Sequence, residues 1–227
     1  DLTNSQFPKY DDAAGIYDEV VDMLTAASTA LNANAGAGLG NFTSTASDLI
    51  YGGSATAWAK FANSHKLRMA LHIADVNKSK SVTWANQAMT AGVFTSNADN
   101  CSMEYQGASP NSSPLHEDLV LSGRADFVAA NTMVDVMNDL NDPRRPIYFR
   151  ENLGSGVFDG GIYGSNNTYA AQTQVGDVFH LPSTPGVLMS YAEVEFLMAE
   201  MVERTGYTVV SAISTDVTSE DHYNRGI

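Results

Sequence analysis

The residues of this chain best suited to chemistry are five histidines, one cysteine and 26 acidic residues. His65 and His72 are seven positions apart, which places them on one face of a predicted helix. No glutamate stands between them in the H-E-x-x-H arrangement of a helical zinc site, so we predict packed histidines and no metal. His116, Glu117 and Asp118 form a short polar cluster that we predict to lie in a solvated loop.

Cysteine and carboxylate chemistry are equally poorly supported. Cys101 is the only cysteine, so it cannot form an intramolecular disulfide. No basic residue lies beside it in the sequence to stabilise a thiolate, and we predict a buried, unreactive thiol. The acidic residues are numerous enough to include the carboxylate pair of a glycan hydrolase, but their number gives no geometry. We therefore predict no catalytic residue and no cofactor, and keep a glycan hydrolase as an alternative.

A segment at residues 154–169 combines glycines, amide side chains and spaced aromatic rings. An aromatic ring can stack on the C–H face of a pyranose, while amides bond to its hydroxyl groups. Glycines let the backbone approach a ligand closely. We predict a shallow glycan platform here, and the alternative is a flexible loop whose rings tuck into the body of the protein. The predicted ligand-binding residues are Tyr163, Tyr169, Phe158, Asn166 and Asn167.

The sequence predicts the helices that position the histidines and the candidate binding residues. Apolar residues recur at helical spacing, and we predict helices at about 13–32, 55–76, 81–91, 127–140 and 190–204. Irregular chain at 92–126 and 145–187 is longer than a minimal compact domain needs, which indicates either loops that carry function or an insertion. The fold class is therefore mainly α.

Several residues mark where these helices begin and end. Ser54 or Thr56 can cap the second helix, and Ser190 with Glu193 forms the sequence pattern of a capping box. Asp142 precedes Pro143 and is therefore disfavoured in the helical region, which ends the fourth helix.

The charge balance restricts the partners. Twelve basic residues against 26 acidic ones give a formal charge of -14, which disfavours a nucleic-acid partner or broad attraction to anionic membranes. No run of about 18 apolar residues predicts a membrane span. Neutral and cationic ligands remain open.

One long motif carries a resemblance to a known family. Residues 48–76 read D-L-I-Y-G-G-S-A-T-A-W-A-K-F-A-N-S-H-K-L-R-M-A-L-H-I-A-D-V. They resemble the D-x-x-Y-x-G-[DS]-x-x-x-W-x-K-F-A-N-S-[LH]-x-L-R-x-A pattern of the SusD/RagB-like outer-membrane nutrient-binding lipoproteins of Bacteroidetes. His65 stands where the family more often has Leu.

Further segments resemble the same family in the same order. S-P-L, R-A-D-F and D-P-R-R-P-I-Y-F follow the long motif, then M-S-Y-A-E-V-E-F-L-M-A-E and the terminal Y-N-R-G-I. F-P-K-Y at 7–10 and I-Y at 16–17 resemble family elements that precede it. The resemblance therefore covers nearly the whole chain.

This resemblance implies a SusD-like fold with tetratricopeptide-like helix pairs and long irregular ligand-facing loops. We expect one domain over residues 1–227, incomplete at both ends. The implied protein is a surface-exposed outer-membrane lipoprotein, held to the membrane only through a lipid anchor upstream of this chain. It would capture oligo- or polysaccharide and deliver it to a SusC-like TonB-dependent transporter. The alternative is a peptide or other nutrient binder with the same transporter.

Overall fold

The computed structural model describes residues 10–35, 47–209 and 218–227. The helices of these residues are α1 (Ala13–Ala33), α2 (Ala55–His72), α3 (Lys78–Ala91), α4 (Pro114–His116), α5 (Asn131–Asp139), α6 (Arg145–Tyr148), α7 (Tyr191–Glu203) and α8 (Ser219–Gly226). Strands β1 (Cys101–Met103) and β2 (Gly186–Met189) pair in a two-stranded sheet. The predicted mainly helical fold class is confirmed. The F-P-K part of the early motif lies outside the described residues.

The observed helix ends differ from the predicted ones for local reasons. Ser54 caps α2 by accepting a hydrogen bond from the amide of Ala57 (3.2 Å), and α3 begins early because the side chain of Asn77 caps it. Helix α5 begins at Asn131 and not at 127, because Val128 pairs with Gln174 in an extended bridge. The two long loops also contain single helical turns, among them α4 and α6.

The chain divides into two compact units. Unit 1 comprises the described residues of Asp1–Ser102 and Val187–Ile227, and unit 2 comprises Met103–Gly186. This division does not test the single domain predicted over residues 1–227, which stays a prediction. No helix in the described parts of the chain combines the length and the apolar character needed to cross a bilayer.

The side chain of Asp48 holds together the turn at the start of the long motif. One carboxylate oxygen accepts the amide hydrogens of Ile50 (3.0 Å) and Tyr51 (3.1 Å). The other oxygen accepts from the amide of Gly53 (2.8 Å) and the indole N–H of Trp58 (2.7 Å). One side chain thereby joins the turn to the first turn of α2.

Helix α2 is the centre of unit 1. Leu67 and Ala70 are fully buried against residues of α3 and α7, including Met89 and Val194. An aromatic row continues from the Asp48 turn along α2: ring centroids lie 5.0 Å apart for Tyr51–Trp58, 5.7 Å for Trp58–Phe61 and 6.0 Å for Phe61–His65. His65 is thus a packed residue, as predicted, whereas His72 is exposed.

An ion pair fixes α7 against α2. The guanidinium of Arg68 donates to both carboxylate oxygens of Glu193, at 2.5 and 2.6 Å. Ser190 caps α7 by accepting the amide hydrogen of Glu193 (3.2 Å). The predicted reciprocal half of this capping box is wrong, because the Glu193 carboxylate pairs with Arg68 instead of the Ser190 amide.

A buried polar cluster joins α8 to α7. Glu195 and His222 are 2% and 0% exposed, and His222 Nδ1 lies 2.6 Å from a carboxylate oxygen of Glu195. Tyr191 donates its hydroxyl to the other oxygen, while Arg225 donates to the first (3.3 Å). Burial and the adjacent Glu195 raise the pKa of Tyr191 to about 12, so its hydroxyl keeps the proton that it donates. Glu195 therefore holds three partners, two of them on α8.

Unit 2 has a separate small core. Val134 and Met137 of α5 pack there with Ala129, Phe149 and Phe158. The prediction of a solvated loop at 116–118 is wrong in part: these residues form a helical turn in which His116 Nδ1 lies 2.6 Å from the carbonyl oxygen of His180. Glu117 accepts a hydrogen bond from Ser112, and Asp118 is exposed.

Candidate ligand-binding site

The loop predicted to bind a ligand is anchored at its base by extended backbone. The amide of Gly161 donates to the carbonyl of Ala129, and the amide of Asn131 donates to the carbonyl of Gly161, both at 2.8 Å. On the other side, Thr173 donates its amide to the carbonyl of Asp159 (2.8 Å). The loop therefore leaves and rejoins unit 2 through paired segments.

Two glycines at this base serve close packing. A Cβ at Gly160 would lie 2.4 Å from the Cα of Asn131, and a Cβ at Gly161 would lie 2.6 Å from Cγ2 of Val128. The backbone contact leaves no room for a side chain at Gly160, whereas a side chain at Gly161 would require Val128 to shift. These glycines allow the loop backbone to approach its own fold, whereas the sequence pattern suggested approach to a ligand.

The tip of the loop, residues 162–167, is closed by one amide side chain. Asn167 Oδ1 accepts the amide hydrogen of Ile162 (2.9 Å), while Asn167 Nδ2 donates to the carbonyls of Ile162 (3.0 Å) and Ser165 (3.1 Å). The Asn167 amide is therefore committed to the turn, where it positions the residues between its ends.

Tyr163 is the residue that this turn presents to solvent. Its side chain is 83% exposed, and its backbone amide donates to Asn131 Oδ1 (3.4 Å). Ile162 is 64% exposed beside it, and Asn166 is exposed on the same turn. Tyr169 is half-buried and begins the single helical turn Tyr169–Ala171. An exposed aromatic ring has the form that stacking on a sugar requires, and the exposed amide of Asn166 can bond to hydroxyl groups.

Phe158 follows the alternative considered for this loop and tucks into the body of unit 2. It is 8% exposed, its ring centroid lies 5.9 Å from that of Phe149, and the Arg145 guanidinium lies 5.6 Å from its ring centroid. Its carbonyl accepts a hydrogen bond from Asn138 (2.9 Å). Its ring therefore supports the base of the loop and offers little area to a ligand.

A neighbouring apolar cleft escaped the sequence analysis. It has a volume of about 320 Å³ and is lined by Phe127, Val128 and Phe179, with the Asp118 carboxylate as an acidic group. Val128 links the cleft to the loop, because the same side chain limits the space at Gly161. Its lining residues come from four stretches of unit 2, so no local spacing pattern could have revealed it.

The described ranges contain no group of three or more His, Cys, Asp or Glu side chains that could hold a metal ion. Cys101 is fully buried, and burial raises the pKa of its thiol, as the predicted unreactive cysteine requires. Burial and Arg68 lower the pKa of His65, which favours the neutral ring that stacks on Phe61.

A match to a family model identifies the family of this chain. A family model for SusD-like proteins, described as "Starch-binding associating with outer membrane", matches residues 2–227. The chain belongs to the SusD-like family. The SusD-like family is described as starch-binding and as associating with the outer membrane. None of the curated proteins matches this SusD-like chain.

Solved structures agree with the SusD-like fold. A chitin-binding protein is 27% identical, with a TM-score of 0.72, over 96% of this chain and 48% of its own. A SusD-like protein from Bacteroides thetaiotaomicron is 28% identical, with a TM-score of 0.77, over 98% of this chain and 45% of its own.

A third solved structure supports only the fold, because its sequence identity to this chain is low. It is a chitin-binding SusD homologue from Flavobacterium johnsoniae, 24% identical, with a TM-score of 0.78, over 99% of this chain and 45% of its own. The SusD-like chain therefore spans about half the length of these solved relatives.

Proposed function

We propose that this chain is part of a cell-surface glycan-binding subunit that captures oligo- or polysaccharide and delivers it to a SusC-like TonB-dependent transporter. The starch-binding description of the family and the chitin-binding relative that is 27% identical support a carbohydrate ligand. Attachment to the outer membrane through a lipid anchor upstream of the chain is part of the same proposal. The ligand is held by shape and stacking, and no bond is broken.

The observation that carries this proposal is the presentation of Tyr163. Three hydrogen bonds close the turn that carries the 83% exposed Tyr163, so the backbone of this turn loses little conformational freedom when a ligand binds. Its ring stacks on the C–H face of a pyranose, and Tyr169 adds a second, half-buried aromatic surface. Asn166 bonds to ring hydroxyls, whereas Asn167 and Phe158 hold the turn and its base.

Substitution of the two tyrosines tests the platform. We expect Tyr163→Ala with Tyr169→Ala to weaken binding of maltohexaose or N-acetylchitohexaose about tenfold, since each lost stacking contact contributes about 0.5–1.5 kcal/mol. The matched control is Tyr10→Ala in unit 1, which removes a tyrosine that is 97% exposed and should leave affinity unchanged. Isothermal titration calorimetry measures both, and circular dichroism checks the fold.

The outcomes separate the ligand classes. Unchanged glycan affinity in the double variant would remove this loop from the site. Binding of peptides but not glycans on an array would overturn the carbohydrate proposal in favour of the peptide alternative. Release of shortened sugars from a bound oligosaccharide would establish the hydrolase alternative.

A further inference from the structure

Unit 1 contains a cleft that the proposed platform does not use. It opens between α1, the end of α2 and the start of α3, and its volume is about 370 Å³. Ligand sites in proteins have volumes of about 300–1,000 Å³ and combine apolar walls with a few convergent polar groups. This cleft has that composition. Its chemically informative lining residues are Tyr17, Asp18, His72, Asn77, Lys80 and Trp84.

A fixed ion pair forms one part of its wall. Lys80 Nζ lies 2.7 and 2.9 Å from the two carboxylate oxygens of Asp18, which belongs to α1. Both side chains keep solvent contact, at 35% and 46% of their surface. The pair therefore offers a donor and an acceptor side by side, an arrangement that complements two neighbouring hydroxyl groups.

Aromatic surface adjoins this pair. The ammonium of Lys80 lies 5.5 Å from the ring centroid of Trp84, which fixes the lysine relative to the indole. Trp84 is half-buried: part of it packs on the core of unit 1, and part lines the cleft. Tyr17 is likewise half-buried and lines the cleft from α1. The cleft thus joins stacking surface to a paired donor and acceptor.

Other ligand classes fit this lining less well. A purely apolar ligand would remove water from Asp18 and Lys80 and replace none of its hydrogen bonds, which is costly. An anion would compete with Asp18 for Lys80, and a cation would be repelled by Lys80. A neutral ligand with several hydroxyl groups and an apolar face satisfies both parts of the wall.

We propose that this cleft is a second saccharide site, which takes a neutral pyranose through Trp84 and Tyr17 and bonds its hydroxyls through Asp18 and Lys80. The proposal rests on the proposed function for the class of ligand. It uses no residue of unit 2, because every lining residue named here lies on α1, α2, α3 or the turn between α2 and α3. If saccharide binding is absent at one of the two sites, binding at the other can therefore still be tested.

The two tryptophans of the chain provide a direct test. Trp84 lines the cleft, whereas the Trp58 indole is held by Asp48 and serves as an internal control. Two indole N–H signals are expected in a proton–nitrogen correlation spectrum, and Trp84→Phe assigns them. We expect the Trp84 signal to shift saturably as maltohexaose or N-acetylchitohexaose is added to about 10 mM, a range that covers weak sites, while the Trp58 signal stays fixed.

Two variants make the test decisive. In the Tyr163→Ala, Tyr169→Ala background the Trp84 signal should shift as in the original chain, and Lys80→Met should weaken that response about fivefold while keeping the aliphatic stem. A Trp84 signal that stays fixed with both sugars would overturn the second site and leave the platform intact. A shift that disappears with the two tyrosines would also overturn it, because the signal would then report on binding at the platform.

Discussion

Removal of the Asp48 carboxylate should destabilise unit 1 more than the loss of an ordinary exposed acid. Four donors point at this side chain: the amides of Ile50, Tyr51 and Gly53 and the indole of Trp58. A hydrogen bond to a charged group contributes about 1.5–3 kcal/mol, and water can reach part of this half-buried turn. We therefore expect Asp48→Ala to lower the free energy of unfolding by about 2–4 kcal/mol, less than the sum of the bonds.

Two smaller changes divide this effect. Asp48→Asn keeps one oxygen but turns an NH₂ group toward two of the donors, so we expect about half the loss, roughly 1–2 kcal/mol. Trp58→Phe keeps an aromatic ring and removes only the indole bond, which should cost about 1 kcal/mol. In the Asp48→Ala variant Trp58→Phe should cost less than in the original chain, because the bond that it removes is already lost.

The pH dependence has a definite sign. Burial acts to raise the pKa of Asp48, but the hydrogen bonds from Trp58, Gly53, Tyr51 and Ile50 outweigh it, so the folded-state pKa is lowered. A lowered carboxyl pKa contributes stability that is fully present above the unfolded value of about 3.9 and is lost as pH falls through the folded value. The difference between the original chain and Asp48→Asn should therefore be greatest near neutral pH and shrink below about pH 4.

Urea unfolding followed by circular dichroism at 222 nm measures these differences between pH 7 and pH 3. If Trp58→Phe costs as much in the Asp48→Ala variant as in the original chain, Asp48 does not stabilise the fold through Trp58. A loss below about 0.5 kcal/mol for Asp48→Ala, the range of ordinary surface substitutions, would likewise refute the stabilising role of this carboxylate.

Two further predictions concern the packing of each unit. Glu195→Ala should lower the free energy of unfolding by about 3 kcal/mol, because it leaves His222 and Arg225 without the carboxylate that they share. Urea unfolding measures this loss, and Glu200→Ala, an exposed control on the same helix, should have little effect. Equal losses in the two variants would contradict a special role for Glu195. Gly160→Ala should disrupt unit 2, because its Cβ would meet the backbone of Asn131 at 2.4 Å. The control Gly107→Ala adds a Cβ with no atom within 4 Å and should not disrupt it. Hydrogen exchange measures the difference, and comparable protection in both variants would show that the base of the loop can move aside.

Local patterns predicted the helices because their causes are local. The caps at Ser54 and Ser190 and the apolar spacing of α2 are set by residues a few positions apart. The partner of Glu193 could not be predicted in this way, since Arg68 is 125 positions away. A carboxylate that fits a capping box was therefore assigned to the wrong donor.

The predicted binding loop shows the same limit. Its residue types indicated aromatic and amide chemistry, but spacing alone could not tell an exposed ring from a packed one. Tyr163 is open and Phe158 is buried, because Phe158 lies near Phe149 and Arg145 in the fold. The Asn167 amide likewise bonds to its own turn. Which of these residues contact a ligand stays a prediction.

The burial of Cys101 makes the chain convenient for site-directed labelling. Its thiol has no accessible surface and is the only one in the sequence. A cysteine introduced at the exposed Ser165 would react selectively with a maleimide dye or spin label in the native protein, with no need to delete the natural cysteine. Motion of the turn beside Tyr163 could then be followed directly while a nutrient molecule is captured.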